Sequence, residues 1–345
     1  MKKKHTWTDY ILPSLGRGLG KGLLFSSLAP SLALFLLLAL PTSCRKEQVT
    51  QSPEETARID SLALHVGVMP VMDCLPFFYA QRMGIFDAEG VDVRLHLYGA
   101  QMDADTALLS RRMEIVYTDL AHALEMQGDS LPVRVVAGMR GKLSLLTTKK
   151  KRIRALKHLD ERMIALNRLS ESDYWSDEIM RQAGLERTAI YRPQINDVQL
   201  RWTMLHDQLV DGAILPEPYV TQAKLEGHNC IFTPSDSATA WACLAIRKET
   251  VTDAHRNQQL KALLKAYDKA AEALNGKAYP ADTLSAIWTR VYKLPREVAD
   301  SVSLPQFPKA TLPQAKDADL AMRWLIQRER RIRKAQRDSL FLSLF

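Results

Sequence analysis

Two carboxylates occupy matched positions in two similar stretches of the sequence. Asp119 ends the stretch 113–119 (MEIVYTD), and Glu217 ends the stretch 210–217 (VDGAILPE). Each stretch follows a helical segment and runs from an acidic position through a short apolar strand to a second acidic residue. Carboxylates accept hydrogen bonds from the N–H and O–H groups of a ligand. The repeat predicts that Asp119 and Glu217 face each other across a gap. The alternative is that each caps the helix that follows it.

Strands and helices alternate around both carboxylates. Apolar or alternating segments predict strands in a first unit at residues 62–68, 91–98, 114–117, 132–137 and 142–148. A second unit has predicted strands at residues 162–166, 188–192, 212–215 and 230–232. Such alternation with short joints predicts parallel sheets with right-handed crossovers. Ligands bind at the carboxyl ends of the strands in sheets of this kind.

Residues 241–247 (WACLAIR) predict one more strand, and helical segments follow it. An apolar stripe from Leu260 to Leu274 indicates that these helices pack back on the first unit. The last predicted helix, residues 318–337, is rich in arginine.

The composition is that of an ordinary globular protein. The chain has 345 residues, of which 46% are hydrophobic and 25% charged, enough for two lobes. The net charge is +8, but residues 1–43 hold five basic residues and one acidic residue. The remaining +4 gives no indication of a nucleic-acid partner.

The N-terminus has the layout of an export signal. A basic start is followed by an apolar run at residues 32–40 and then by Pro41-Thr42-Ser43-Cys44. This resembles a bacterial lipoprotein signal, in which residues 1–43 are removed and Cys44 is lipidated. Pro41 departs from the usual pattern, so an uncleaved anchor or a free secreted protein stays an alternative. Residues 44–60 predict a polar tether that leaves the protein on the periplasmic face of a bacterial membrane.

Three segments carry a resemblance to a known family: VGVMPVMDCLPFFYAQRMGIFDAEGVDV, MDADTALLSRRMEIVYTDL and DGAILPEPYVTQA. The chain resembles the solute-binding proteins of ABC importers that have the type II periplasmic-binding-protein fold. The similar group binds nitrate, sulfonates, taurine and pyrimidine precursors of thiamine. The resemblance implies two Rossmann-like α/β lobes that close on a small molecule about a hinge and are then recognised by a membrane permease.

The resemblance also implies an organisation into domains. Residues 61–150 would form lobe 1, residues 151–235 would form lobe 2, and residues 236–345 would return to lobe 1 and add the C-terminal helices. The hinge crossings are expected near residues 149–162 and 233–241. No cofactor and no metal site are implied, and a monomer is expected.

The ligand-binding residues follow from matching this sequence to the family's motifs. In lobe 1 the matched positions are Met72, Asp73, Cys74, Leu75, Gln101, Met102, Thr118 and Asp119. In lobe 2 they are Ser170, Ser172, Asn196, Glu217 and Tyr219.

This lining has three carboxylates, Asp73, Asp119 and Glu217, and little fixed positive charge. Buried carboxylates repel an anion, which favours Arg, Lys or helix N-terminal amides around it. We therefore expect a neutral or cationic ligand, such as a pyrimidine or an amine. Backbone amides alone can bind oxyanions, so a sulfonate- or nitrate-type anion remains the alternative.

Two other functions are possible for such a chain. The same fold occurs in pyrimidine-precursor synthases and in menaquinone-pathway dehydratases. The synthase has a cysteine-rich iron motif and a lysine for pyridoxal phosphate, and this sequence has neither clustered cysteines nor a lysine at the matched strand ends. No common catalytic motif occurs, so we predict that the chain is not an enzyme. A lipoprotein adaptor that binds another protein through the Arg-rich helix is the remaining alternative.

Overall fold

The structure is a computed structural model, and it describes residues 60–127 and 132–344. Two five-stranded sheets form its framework. The first has the order β2-β1-β3-β10-β4, with β1 (Leu64–Val68), β2 (Val93–Leu97), β3 (Ile115–Asp119), β4 (Val133–Gly138) and β10 (Ala242–Arg247). The second has the order β7-β6-β8-β5-β9, with β5 (Leu143–Thr147), β6 (Arg162–Ala165), β7 (Ile190–Tyr191), β8 (Gly212–Pro216) and β9 (Asn229–Phe232).

Both sheets are mixed rather than purely parallel. In the first sheet β1 runs parallel to β2 and β3, and β10 runs antiparallel to β3 and β4. In the second sheet β6 runs parallel to β7 and β8, and β5 runs antiparallel to β8 and β9. The prediction of all-parallel sheets is therefore wrong. The antiparallel strand in each sheet, β5 or β10, is the one that the chain reaches directly from the other sheet.

The chain passes between the sheets twice, at residues 139–142 and at residues 233–241. The second passage coincides with the expected hinge crossing. The first lies before β5, so the predicted crossing near residues 149–162 and the predicted end of lobe 1 at residue 150 are corrected. An apolar strand such as LSLLT fits either sheet equally well, and its local sequence does not say which one it joins.

Helices cover the faces of the two sheets. Lobe 1 has α1 (Leu75–Arg82), α2 (Ile85–Ala88), α3 (Gln101–Leu109) and α4 (Leu120–Met126), and lobe 2 has α5 (Glu171–Ala183), α6 (Val198–His206) and α7 (Tyr219–Leu225). The C-terminal part adds α8 (Lys248–Thr252), α9 (Ala254–Asn275), α10 (Ala281–Ile287), α11 (Arg296–Ser301), α12 (Ala315–Gln327) and α13 (Lys334–Asp338). The single helix predicted at residues 318–337 is thus two helices, α12 and α13.

Local sequence explains how the helices nearest the gap begin and end. Ser170 caps α5 by accepting a hydrogen bond from the N–H of Ser172, and Gly184 ends that helix in the left-handed region at φ 68°. Asp197 caps α6 by accepting from the N–H of Leu200. Side-chain caps of this kind satisfy N–H groups that have no partner within the helix.

The C-terminal helices pack back on lobe 1, as the apolar stripe predicts. Leu260, Leu263, Leu264 and Tyr267 of α9 are buried in the same cluster as β1 and α1. The rings of Phe77 and Tyr267 lie 5.0 Å apart. Burying each side chain of this size contributes about 2 kcal/mol, so α9 is an integral part of lobe 1.

Several predictions concern the N-terminal part of the chain. The signal peptide, the lipidated Cys44 and the tether lie outside the described residues. Within residues 60–127 and 132–344, no helix combines the length and apolar character that crossing a bilayer requires. Cys74, Cys230 and Cys243 are free thiols.

Candidate functional site

A cavity of about 70 Å³ lies between the two sheets, at the carboxyl ends of their strands. Because one buried water needs roughly 10–15 Å³ by this measure, the cavity can hold a handful of waters or one small solute. The lining combines both lobes: Met69, Val71, Asp73, Gln101, Tyr117, Thr118, Asp119, Gly141, Lys142, Leu143, Asn167, Ser170, Glu171, Ser172, Asn196, Val198, Arg201, Pro216 and Ala242.

Asp119 joins the two lobes inside this cavity. Its Oδ1 accepts a hydrogen bond of 3.0 Å from the N–H of His122, in the first turn of α4. Its Oδ2 accepts one of 3.1 Å from the N–H of Glu171, at the start of α5 in lobe 2. One carboxylate therefore meets the positive ends of two helix dipoles, one from each lobe.

Glu217 does not face Asp119, and that prediction is wrong. Its Oε2 accepts a hydrogen bond of 3.0 Å from the N–H of Thr221 and so caps the first turn of α7. Its carbonyl oxygen accepts from the N–H of Met72, which ties the two lobes together at 3.0 Å. Because α7 begins two residues later, its unpaired N–H groups hold the Glu217 carboxylate away from the cavity. The acidic residue of lobe 2 beside Asp119 is Glu171.

Seven of the predicted ligand-binding residues line the cavity: Asp73, Gln101, Thr118, Asp119, Ser170, Ser172 and Asn196. Six do not: Met72, Cys74, Leu75, Met102, Glu217 and Tyr219. Met72, Cys74, Leu75 and Tyr219 are buried in the apolar core, because the turn before α1 and the start of α7 direct them inward. Met102 is 42% exposed, and its sulfur lies 2.8 Å from Nδ2 of Asn196 in lobe 2.

The structure adds four polar residues that the sequence did not single out. Glu171 follows the cap Ser170 directly, Asn167 lies on the loop after β6, Lys142 lies on the first passage between the sheets, and Arg201 points inward from α6. The expectation of little positive charge in the lining is therefore wrong. Ser170 and Ser172, which flank Glu171, were the signals near Glu171 and Asn167. Arg201 has the pattern of an ordinary surface residue of a helix.

Burial shifts the pKa values of the ionisable side chains that line the cavity. It raises the pKa of Glu171 to about 8, and the neighbouring charge of Asp119 acts in the same direction. Burial also raises the pKa of Asp73 to about 6, against hydrogen bonds from the Tyr117 hydroxyl and the N–H of Gly141. Burial lowers the pKa of Arg201 to about 10, so this guanidinium stays charged at neutral pH. Glu171 is then mainly neutral at pH 7.

Two separate sets of hydrogen-bonded side chains lie in and behind the cavity wall. His122 Nδ1 lies 2.6 Å from Asp105 Oδ2, and both side chains are buried. Gln101 Nε2 donates to Thr118 Oγ1 at 2.9 Å. Asn167 Nδ2 in lobe 2 donates to Gln101 Oε1 at 3.3 Å. Gln101 and Thr118 in the lining of lobe 1 are thus held by a hydrogen bond to each other and by Asn167 of lobe 2.

The rim of the cavity is closed at the edge where β2 and β7 end. Ala100 and Asp197 form an isolated antiparallel bridge between the lobes. The N–H of Val198 donates to the carbonyl of Gly99 at 3.0 Å. A Cβ atom added to Gly99 would overlap the Asp197 carboxylate. A side chain at position 99 would therefore displace the Asp197 carboxylate from its place at the start of α6.

The opposite side of the cavity is held by α5 and α12. Trp324 Nε1 donates to Asp177 Oδ2 at 2.9 Å, and Arg328 pairs with Asp177. The Tyr174 ring lies 4.4 Å from the Trp241 ring, next to the second passage between the sheets. We refer to Tyr174, Trp241 and Trp324 as the hinge-side aromatic cluster.

No metal site is seen in the part of the chain that the structure describes. There, no group of three or more His, Cys, Asp or Glu side chains is arranged to hold an ion.

Comparison with known proteins agrees with this architecture. Residues 72–278 match the family described as NMT1/THI5 like. The chain belongs to the NMT1/THI5-like family. No curated protein that was compared with the sequence matches it.

Solved structures with a similar fold include several binding proteins. The alkanesulfonate-binding protein SsuA from Xanthomonas axonopodis pv. citri, bound to MOPS, is 13% identical with a TM-score of 0.69 over 82% of this chain and 98% of that one. The periplasmic nitrate-binding protein NrtA from Synechocystis PCC 6803 is 12% identical, with a TM-score of 0.69 over 81% and 86% of the two chains. A ligand-binding component of an ABC-type import system from Staphylococcus aureus, with zinc bound, is 14% identical with a TM-score of 0.68 over 81% and 96%.

At these identities the likeness establishes the fold. This NMT1/THI5-like chain has the two-lobed periplasmic-binding-protein fold, and both the predicted fold class and the predicted family resemblance are confirmed.

Proposed function

We propose that the protein is the extracytoplasmic solute-binding component of an ABC import system. It captures a small molecule between its lobes and delivers it to a membrane permease. The observation that carries the proposal is Asp119, which lies in the cavity and bonds to the starts of α4 and α5 at once. A solute that contacts this carboxylate contacts the junction of the lobes, so binding and closure are coupled.

The ligand that we propose is neutral or cationic and carries N–H groups, as an aminopyrimidine or an amine does. The start of α5 is the part of lobe 2 that would attract an anion, and Asp119 already accepts from its first N–H group. Asp73 and Glu171 supply further acceptor oxygens in the same lining. These groups match a ligand that donates hydrogen bonds.

An anion such as a sulfonate or nitrate is the second candidate, and a specific observation favours it. Arg201 is buried and charged in the lining, and its Nε has no hydrogen-bond partner there. Lys142 also lines the cavity, although Asp236 pairs with it. The solved structures named above include a sulfonate-binding and a nitrate-binding protein. Three carboxyl groups line the cavity beside these two cations, and Asp236 already pairs with one of the cations, so we rank the anion second.

Thermal unfolding of the purified protein with three probes distinguishes the two ligand classes. We expect 4-aminopyrimidine to raise the unfolding midpoint by about 5 °C at a concentration of about 100 times its Kd. Methanesulfonate and nitrate should leave the midpoint unchanged at equal ionic strength. A shift with methanesulfonate or nitrate and none with the pyrimidine contradicts the proposed ligand class and supports the anion.

Two other proposals about this chain have less support. The Arg-rich C-terminal segment pairs within the chain, since Arg328 contacts Asp177, Arg330 contacts Glu125 and Arg337 contacts Asp319. These internal partners argue against an adaptor that binds another protein through that segment. A synthase-like or dehydratase-like enzyme also has less support, because the solved structures with this fold named above are binding proteins.

We also propose that the protein is exported, lipidated at Cys44 and monomeric on the periplasmic face of the membrane. The order of basic, apolar and cysteine residues at the N-terminus supports this. Growth of expressing cells with labelled palmitate should label the natural chain and leave the Cys44→Ala variant unlabelled. Equal labelling of both chains, or of neither, contradicts lipidation at this residue.

A further inference from the structure

The loop between β6 and α5 contains a residue in an unfavourable backbone conformation. Leu169 has φ 57°, in the left-handed region that residues with a side chain rarely adopt. Its neighbours in the sequence Asn167, Ser170, Glu171 and Ser172 all line the cavity. A residue in this region persists only where its surroundings hold it, and such residues cluster at ligand sites. The contacts of Leu169 therefore identify what maintains this part of the cavity wall.

The carboxylate of Asp173 holds Leu169 in this conformation. Asp173 Oδ2 accepts a hydrogen bond of 3.0 Å from the N–H of Leu169. Asp173 belongs to α5, the helix whose first residues reach the cavity, and it is fully buried at 0% exposure. A carboxylate that is removed from water in this way needs opposite charges around it.

Two arginines from different parts of the chain supply these charges. Arg192, which follows β7, has its Nε 3.7 Å from Asp173 Oδ1. Arg328, the residue after α12, has its Nη1 3.7 Å from Asp173 Oδ2, the oxygen that accepts from Leu169. The two arginine side chains are only 9% and 10% exposed, so the solvent screens these contacts little. Each oxygen of the carboxylate therefore has one arginine beside it.

Arg328 is itself fixed by the residues around it. Its guanidinium lies over the Trp324 ring, 4.8 Å from the centroid, and it pairs with Asp177 one turn further along α5. Trp324 Nε1 donates to the same Asp177 at 2.9 Å. The side chain of Leu169 packs against the cluster that contains Trp241 and Trp324. The C-terminal segment thus contacts the loop both through a charge and through an aromatic ring.

We propose that Arg328 is a positioning residue of the ligand site, which acts by neutralising Asp173 and so maintaining the left-handed conformation of Leu169. This conformation keeps residues 167–172 of the cavity wall in the arrangement that binds the solute. Without Arg328 the buried carboxylate retains only Arg192, beside its other oxygen, and turns away from the N–H of Leu169. Arg328 does not line the cavity, so it acts on the ligand only through this loop. The inference rests on the proposed solute-binding function and adds the C-terminal segment to the parts of the chain that determine affinity.

Arg328→Met tests the role of the charge, because methionine retains part of the side chain that packs on Trp324. By calorimetric titration with 4-aminopyrimidine we expect binding about five- to tenfold weaker than in the natural protein, since an unsupported left-handed residue loses about that factor in population. Arg330→Met is the matched control, because Arg330 pairs with Glu125 of α4, and its affinity should equal that of the natural protein. Equal affinities of the natural protein and Arg328→Met, or an equal loss in Arg330→Met, overturn the inference and leave the proposed function intact.

A second substitution separates positioning from a general loss of structure. Glycine adopts the left-handed region at little cost, so the Leu169→Gly variant does not need Asp173 to hold the loop. In that background we expect Arg328→Met to change the affinity by less than about twofold, because non-additive effects mark residues that act through one another. The missing leucine side chain lowers the stability of both chains equally and does not affect this comparison. An undiminished effect of Arg328→Met in the Leu169→Gly background overturns the inference.

A readout without any ligand separates failure of the inference from failure of the proposed function. The N–H of Leu169 is bonded to Asp173, so its exchange with solvent by ¹H–¹⁵N NMR should be slow in the natural protein and in Arg330→Met. In Arg328→Met we expect exchange about five- to tenfold faster. Fast exchange in the natural protein overturns the inference, even if Arg328→Met does not fold. Slow exchange that Arg328→Met accelerates, with no binding of 4-aminopyrimidine to the natural protein, supports the positioning role and contradicts the proposed ligand class.

Discussion

Replacing Gly99 by alanine is expected to weaken solute binding by up to about fivefold, with little loss of folding stability. The added Cβ would overlap the Asp197 carboxylate, which belongs to the other lobe. The Asp197 carboxylate would have to leave its cap on α6 whenever the lobes close, at a cost of about 1 kcal/mol. This cost lowers the population of the closed form by up to about fivefold, and the apparent Kd rises in the same proportion. Titration calorimetry on both proteins measures the change.

A second substitution provides the matched control. The three nearest atoms to the added Cβ all belong to the Asp197 carboxylate, the third lying 3.7 Å away. Truncation in the Gly99→Ala/Asp197→Ala double variant removes the overlap and leaves ordinary van der Waals distances. Asp197→Ala alone loses the cap of α6, about 1 kcal/mol of stability. Binding by Gly99→Ala as tight as that of the natural protein, or no recovery in the double variant, would show that contact at position 99 does not control closure.

The stability of the protein is expected to fall as the pH rises from about 4.5 to about 8, and Glu171→Gln should remove a large part of that fall, to which Asp73 and His122 also contribute. Burial raises the pKa of the Glu171 carboxyl from 4.5 to about 8 in the folded state. The folded protein therefore holds this proton more tightly than the unfolded chain. Stability from this group is fully present below pH 4.5 and is lost as the pH rises through 8. At about 1.4 kcal/mol for each pH unit, the loss reaches up to about 5 kcal/mol.

Urea unfolding of both proteins at pH values from 4.5 to 8.5 measures this difference. Asp73→Asn is the matched control, because the Asp73 carboxyl titrates over a lower range, from 3.8 to about 6. Its effect should be confined to that lower range, whereas the Glu171→Gln effect continues to pH 8. Free energies of unfolding that run parallel for the natural protein and Glu171→Gln across the whole range would contradict the assignment of this proton to Glu171.

The sequence was a good guide to the fold for a physical reason. Strand and helix periodicities are local, and the alternation through residues 62–247 predicts most of the elements that the structure contains. Which sheet a strand joins is a long-range property. The segment of β5 is apolar in either sheet, and only the course of the chain puts it between β8 and β9.

The residues of the site were less predictable than the fold, because several hydrogen-bond partners compete for the same side chain. Asp119 and Glu217 each cap the helix that follows them, as the alternative prediction has it, yet only Asp119 also lies in the cavity. Arg201 lies in a helix among polar and apolar neighbours, and its inward direction depends on the packing of α6 against lobe 2. The hydrogen bond from Asn167 to Gln101 joins residues 66 positions apart, which no local pattern indicates.

The strand orders of the two sheets have a mechanical consequence. Both passages between the sheets join β4 and β10 to β5 and β9, while β2 and β7 lie at the far edges. Three strand spacings separate β2 from β10, a lever arm of about 14 Å. A rotation of about 20° at the passages would carry the rim at Gly99 about 5 Å from Asp197, enough to break every hydrogen bond there. The hinge-side aromatic cluster lies near the axis of this rotation and would barely move. A solute would therefore enter and leave along the edge of β2 and β7, where the rotation separates the lobes most.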